Sequence, residues 1–294
     1  MGEAISRLRS RPFGAAGSAR PTARRWYGHH LLKKPFFGRF MKPWRWPADV
    51  PQQGWERVQI ASRSTSQLEA IVARAPLAPR AVVVCAHPMG FACKGFWLRH
   101  GHAQALLDAG FHVVAFDFNG FGESPSTNFD FPGDAMSVGL WARAAFAGLP
   151  VYALTASFGA INTLSAIDEA DFPYDKVVAE GCPPTLPDFW KAYPFAHAVL
   201  NISRRISPQG ELHLRPVHHL ANMRDVDVLL IHSRVDRLTP VHFGDALQQA
   251  ASRPERIQRV ILDKADHTYG MRDEPQRYWN AVLEFFNQSS PTRS

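Results

Sequence analysis

From Trp55 onward the sequence alternates short apolar runs rich in β-branched residues with longer segments of helix-like spacing, and this alternation restricts the chain to few architectures. The runs are Ala81–Ala86 and residues 112–118, 151–155, 176–179, 226–231 and 259–262. The helical segments are residues 97–109, 133–147, 158–169, 241–252 and 274–286. Strands that are apolar at successive positions are buried on both faces, which calls for a parallel sheet covered by helices. Strand and helix in turn imply right-handed βαβ crossovers, and hence a doubly wound, mostly parallel α/β sheet. Two earlier segments, 56–62 and 68–73, add an antiparallel hairpin at one edge. There is no internal repeat.

The 294 residues are 46% hydrophobic, enough for one large domain or at most two small ones, which excludes a disordered chain and a collagen-like fibre. With three cysteines and no C-x-x-C spacing, a disulfide scaffold and a cysteine metal site are also excluded; free thiols fit a reducing, cytoplasmic setting. The net charge of +7 is unevenly placed. Residues 1–50 hold eleven Lys or Arg against Glu3 and Asp49, whereas the remainder holds 22 against 24 acidic residues. The chain therefore reads as a basic, aromatic N-terminal arm, residues 1–50, joined to a near-neutral body, residues 51–294. A nucleic-acid partner is not expected, because the body has no excess of positive charge to meet phosphates. The arm lacks an apolar signal core, and its Arg-rich, acid-poor start is compatible with organelle import. Its aromatic group (Trp26, Tyr27, Phe36, Phe37, Phe40, Trp44 and Trp46) either packs on the body or attaches the chain peripherally to anionic lipid. Nothing in the composition bears on oligomeric state.

Two stretches stand apart. Residues 144–167 run for 24 residues without a charge, but Gly148, Pro150, Asn162 and Thr163 interrupt them; a buried strand, a turn and a buried helix explain the run better than a membrane span. Residues 182–224 break the alternation with a segment rich in Pro, His and aromatics, too long for an ordinary connection. Because it follows a strand's C-terminal end, where α/β sheets place ligands, it reads as a lid or pocket wall. The alternative is a helical excursion without ligand contact.

The chemistry centres on Ser157. Residues 151–159 read V-Y-A-L-T-A-S-F-G, a buried strand running into a serine and a glycine at the start of a helix, which is the pattern of a nucleophile elbow. A serine at a helix N-terminus can also be a simple cap. The loop H-P-M-G, residues 87–90, follows the strand Ala81–Ala86, so the Met89 backbone N–H, with that of Phe158, is the expected oxyanion hole. Downstream, Asp236 lies in the loop after the apolar run 226–231, and His267 in the loop after 259–262. The order Ser157, Asp236, His267 suits a nucleophile, an orienting acid and a general base on such a sheet. Asp263 and Asp266 are rival partners for His267, although their position suggests a surface turn.

Taken together these motifs resemble the α/β-hydrolase superfamily, and within it the serine hydrolases of the lysophospholipase or serine-aminopeptidase-like type. The likeness covers about residues 58–286. It is carried by H-P-M-G at 87–90, D-F-N-G-F-G-E-S at 117–124, T-A-S-F-G at 155–159, S-R-V-D at 233–236 and D-H-T-Y at 266–269. Thr155 stands where the family more often has glycine, and Pro88 where a glycine usually follows the loop histidine. The resemblance implies a covalent acyl-enzyme, no cofactor and no metal. A serine at 157 argues against the dehalogenase and epoxide-hydrolase branches, which use aspartate there.

Other features carry less. In G-F-G-E-S-P, residues 120–125, a proline occupies the third glycine position of a dinucleotide fingerprint. His100 and His102 read as helix surface, the pairs at 29–30 and 218–219 as solvated, and Cys93 as a small buried filler. The reading as a whole is a serine hydrolase of a small, apolar acyl substrate, with Phe189, Trp190 and Tyr193 lining the acyl site. The alternatives are an acyltransferase or biosynthetic enzyme on the same triad, or a non-catalytic binding protein on the hydrolase fold.

Overall fold

The computed structural model describes residues 33, 37, 38, 40–76, 78–191, 193–206 and 214–289. The rest of the arm, including Trp26, Tyr27, His29, His30 and Phe36, lies outside the described residues.

Eight strands form one sheet: β1 (Trp55–Ala61), β2 (Gln67–Ala73), β3 (Ala81–Ala86), β4 (Phe111–Phe116), β5 (Val151–Ala156), β6 (Lys176–Glu180), β7 (Asp227–Ser233) and β8 (Ile257–Leu262). Their order is β1-β2-β4-β3-β5-β6-β7-β8. Only β1 with β2 and β2 with β4 pair antiparallel; every other neighbour is parallel. The doubly wound sheet and its edge hairpin are thus as the sequence predicts. Strands β3, β4 and β6 are buried at every position. Each Val or Phe there contributes about 1.5–3 kcal/mol by leaving water. Edge strand β1 is largely exposed.

The helices are α1 (Phe96–Arg99), α2 (His102–Asp108), α3 (Phe131–Ala145), α4 (Phe158–Leu164), α5 (Leu186–Trp190), α6 (Pro194–Ile206), α7 (Pro216–Leu220), α8 (Val241–Ala250), α9 (Gly270–Asp273) and α10 (Pro275–Asn287). Two groups flank the sheet. Helices α3, α4, α7 and α8 pack in succession, while α2 meets α10 through His102 and Tyr278, ring centroids 5.5 Å apart. Among the described residues no helix is long and apolar enough to cross a membrane, and the charge-free run 144–167 contains β5 and α4.

Two expectations are corrected. The helix expected over 97–109 is broken in two, because Gly101 has φ +78°, a left-handed conformation that ends α1 and starts α2. His102 is fully buried, not on a helix surface: Phe96, Trp97 and Tyr278 enclose its ring, and neither nitrogen has a hydrogen-bond partner among the described residues. Burial without a partner for the charged form pushes it down to about 3.

Part of the segment ahead of residue 50 is packed into the body. Phe40 and Trp44 belong to the core, and the Trp44 ring covers Gly95 so closely that a Cβ there would sit 2.5 Å from Trp44 Cε3. Trp44 Nε1–H donates to Glu123 at 2.9 Å, and Glu123 also accepts from the buried Lys94, which pairs with Asp117. Lys33 is buried too, donating to the Asn119 carbonyl at 3.0 Å and to the Asn128 carbonyl at 2.6 Å. Burial drives its amine down to about 7 against the pull of Asp134.

Candidate active site

Strand β5 delivers Ser157 to the N-terminus of α4 with φ 45° and ψ −104°, a backbone conformation that a non-glycine residue holds only when its surroundings impose it. Two contacts do so. Ser157 N–H donates to the Glu180 carbonyl on the neighbouring strand at 2.8 Å. On the other side, Gly159 lets α4 approach β3 so closely that a Cβ would lie 2.0 Å from the Ala86 carbonyl oxygen. Thr155, in the usual glycine position, is buried and donates its hydroxyl to the Val178 carbonyl at 2.7 Å, so the elbow closes with a polar side chain there.

Three side chains meet at the C-terminal ends of β5, β7 and β8. Ser157 Oγ–H donates to His267 Nε2 at 2.9 Å, and His267 Nδ1–H donates to Asp236 Oδ2 at 2.8 Å. The side chain of Asp236 is 3% exposed and that of His267 15%, so the acid is shut from water while the imidazole remains reachable by a substrate. The second Asp236 oxygen accepts the N–H groups of Leu238 and Thr239 at 2.8 and 3.0 Å, and the Thr239 hydroxyl donates to Oδ2. Burial alone would raise this carboxyl, but the bonds from His267 and Thr239 outweigh it and hold it down at about 2. The rivals lie elsewhere: Asp263 pairs with Arg234 and Arg277 at the surface, and Asp266 accepts the His267 backbone N–H.

Next to Ser157, the Phe158 ring packs against Phe118, Phe121 and Phe131 with centroids 4.9–5.2 Å away, and against Phe37 at 6.0 Å. Among the described residues the backbone N–H groups of Met89 and Phe158 make no turn or loop hydrogen bond, and Phe158 directly follows Ser157. The loop that carries Met89 is fixed by His87, whose Nδ1–H donates to Pro88 O at 2.8 Å while Nε2 accepts the Phe118 N–H at 3.3 Å.

Within residues 182–224 the described part forms α5, α6 and α7. Phe189 of α5 lies beside His267, ring centroids 6.1 Å apart, and itself meets Trp190 edge-to-face at 5.3 Å and Tyr193 at a tilt at 6.1 Å. Phe189 is buried, and Tyr193 is exposed.

His87, Cys93 and Asp117 bring ligand-type atoms within 4.8 Å of one another. Those atoms are already engaged: both His87 nitrogens as above, and both Asp117 oxygens by Lys94 and the Glu123 N–H. Burial pushes the Cys93 thiol up to about 12, so it is neither a ready ligand nor a nucleophile. His219 is half-buried and pairs with Asp168 at 2.7 Å, a structural role.

Sequence reasoning passed over Thr239, Gly181 and Glu180. Thr239 signals itself only as the third residue after an acid at the start of a helix. Gly181, φ +59°, gives His267 its space, for a Cβ there would be 3.1 Å from His267 Cε1. Glu180 could have been noticed as the one charge at the buried end of β6, directly before that glycine.

The sequence profile of the family described as "Serine aminopeptidase, S33" (Hydrolase_4) matches residues 78–259. Protein ABHD12B of Homo sapiens is 27% identical over 176 residues, covering 54% of this chain and 48% of that protein. The lysophosphatidylserine lipase ABHD12 of Rattus norvegicus is 27% identical over 211 residues, covering 65% and 52%. The chain thus spans about half the length of the curated relatives it matches. Among solved structures, the Pyrococcus furiosus esterase Pf2001 superposes with a TM-score of 0.67 at 16% identity, over 85% of this chain and 99% of that one. An esterase domain from a Rhodothermus marinus protein gives 0.55 at 20% identity, over 78% and 95%. The two structural likenesses show the fold, and the profile match over more than half the chain shows the lineage: this is an α/β-hydrolase of the Hydrolase_4, serine aminopeptidase S33, family.

Proposed function

We propose that the chain is a serine hydrolase that cleaves a carboxylic ester of an apolar acyl group through a covalent acyl-enzyme on Ser157. The observation that carries this reading is the continuous hydrogen-bonded line from Ser157 Oγ through His267 to Asp236, at 2.9 and 2.8 Å. His267 takes the Ser157 proton as Oγ attacks the ester carbonyl, and Asp236 holds the imidazole tautomer and stabilises its cation. The tetrahedral oxyanion is received by the Met89 and Phe158 N–H groups, each such donor being worth about 3 kcal/mol. His267 then protonates the departing alkoxide, and water, deprotonated by the same imidazole, releases the acid and restores Ser157.

An apolar acyl chain is supported by Phe189 against His267, with Trp190 and Tyr193 beside Phe189, and by the lipase named among the relatives. The substrate class is an ester of a single fatty acyl chain. The test is labelling by a fluorophosphonate probe together with turnover of p-nitrophenyl esters from C2 to C12 and of lysophosphatidylserine. Labelling is expected to vanish in Ser157→Ala, with turnover rising toward the longer chains. Labelling that persists in Ser157→Ala overturns the assignment.

A further inference from the structure

Glu180 touches both halves of the site. It is the last residue of β6 and is 3% exposed. Its main-chain carbonyl accepts the Ser157 N–H at 2.8 Å, which holds the nucleophile in its strained conformation. Its side chain reaches the other way, where Oε1 accepts the N–H of Gly270, three residues beyond His267, at 2.8 Å. The loop it grips needs a grip, for Thr268 has φ 63°, a left-handed conformation unfavourable for a β-branched residue. Gly270 also leaves no room for a substitute: a Cβ there would come within 2.9 Å of Glu180 Oε1 and 2.5 Å of Tyr278. Directly after Glu180, Gly181 forms the floor on which the His267 ring rests.

A lone buried carboxyl is a costly way to brace a loop, so its presence asks for a reason. The buried hydroxyl of Tyr278 lies beside the carboxyl. Burial pushes the carboxyl up to about 7; the Gly270 N–H, the His267 imidazole and the Tyr278 hydroxyl draw it down, and Asp236 opposes them. Burial thus favours its neutral form. Its Oε1 still accepts from Gly270 in either state.

Building on the proposed Ser157 chemistry, we infer that Glu180 is a positioning residue that couples the nucleophile elbow to the histidine loop, fixing His267 Nε2 within hydrogen-bond reach of Ser157 Oγ. The side chain acts through Gly270, not on the substrate. Its loss therefore lowers the fraction of molecules in which base and nucleophile are aligned, which falls on kcat and leaves substrate binding nearly intact.

The test compares Glu180→Gln, which keeps an acceptor oxygen and the volume, with Glu180→Met, which keeps the volume alone. Both are assayed as the full chain for kcat and KM on p-nitrophenyl butyrate, with the melting temperature recorded. Glu180→Gln is expected to retain kcat within about threefold, and Glu180→Met to lose at least tenfold with KM changed less than twofold. Equal kcat values for the two variants overturn the inference, as does a loss in Glu180→Met that falls on KM. Should Glu180→Met fail to fold, Glu180→Gln decides alone, a loss above tenfold overturning the brace. Failure of the underlying reading is distinct: Ser157→Ala would then still be labelled by fluorophosphonate, whatever the Glu180 variants do.

Discussion

Gly159 and Ala86 sit so close that the helix after Ser157 rests directly on the end of β3, with no space for a side chain between them. The obstacle to any substitution is a backbone carbonyl, which cannot turn aside as a side chain would. Gly159→Ala is expected to destabilise the protein by at least about 3 kcal/mol. This corresponds to a fall in melting temperature of roughly 6–10 °C. Thermal unfolding followed by circular dichroism measures it, and an unchanged melting temperature would show that α4 can shift without loss.

Asp236→Asn keeps the shape of the acid but presents an amide that can favour the wrong imidazole tautomer. The expected effect is a fall in kcat of about 10³- to 10⁴-fold with little change in KM. Steady-state kinetics on a p-nitrophenyl ester provide the readout.

The same residue makes a prediction about stability and pH. Its carboxyl sits at about 2 in the folded chain against 3.8 ordinarily, so the folded state gains from its ionised form above the ordinary value. That gain, about 2 kcal/mol, is lost as pH falls through 2. Denaturant unfolding of the wild type and of Asp236→Asn at pH 6 and pH 2 should show the wild-type advantage shrinking by about this amount. A constant difference would mean that the carboxyl is not held down.

Phe189→Ala removes the ring that lies 6.1 Å from His267. If this ring lines the acyl site, KM for a C8 ester should rise about 10- to 100-fold, reflecting the 1.5–3 kcal/mol of a buried aromatic contact, while a C2 ester changes less than about twofold. Equal effects on both chain lengths would place Phe189 outside the acyl path.

Trp44→Ala should cost about 3–5 kcal/mol, because the indole is buried over Gly95 and its N–H satisfies Glu123. A melting temperature matching the wild type would mean that this segment adds nothing to the core.

The parts of the fold legible in the sequence are those in which burial repeats along the chain. Strands β3 and β5 and the middle of β7 announce themselves because both of their faces are covered, so the runs are mostly apolar. The meeting of Ser157, Asp236 and His267 was legible for a related reason: each follows the C-terminal end of a parallel strand, and parallel strands bring such ends together. What escaped is set by contacts distant in sequence. His102 looks like a polar helix residue until Tyr278, from the far end of the chain, closes over it. Lys33 looks like part of a solvated arm until Asn119 provides its partner. Glu180 was left off its strand because a carboxylate is a poor guess for a buried position, and its partner is a backbone N–H that no residue pattern reveals.

The placement of the site on strands β5, β7 and β8 bears on synthesis as well as on catalysis. Ser157 precedes His267 by 110 residues, so a nascent chain made from its N-terminus carries the serine for roughly 5–20 s before the histidine exists. During that interval the elbow has no proton acceptor, and Asp236, when it emerges, has no imidazole to hold. In the reaction proposed above, His267 can take the Ser157 proton only once β8, the strand that precedes it, has docked at the sheet edge.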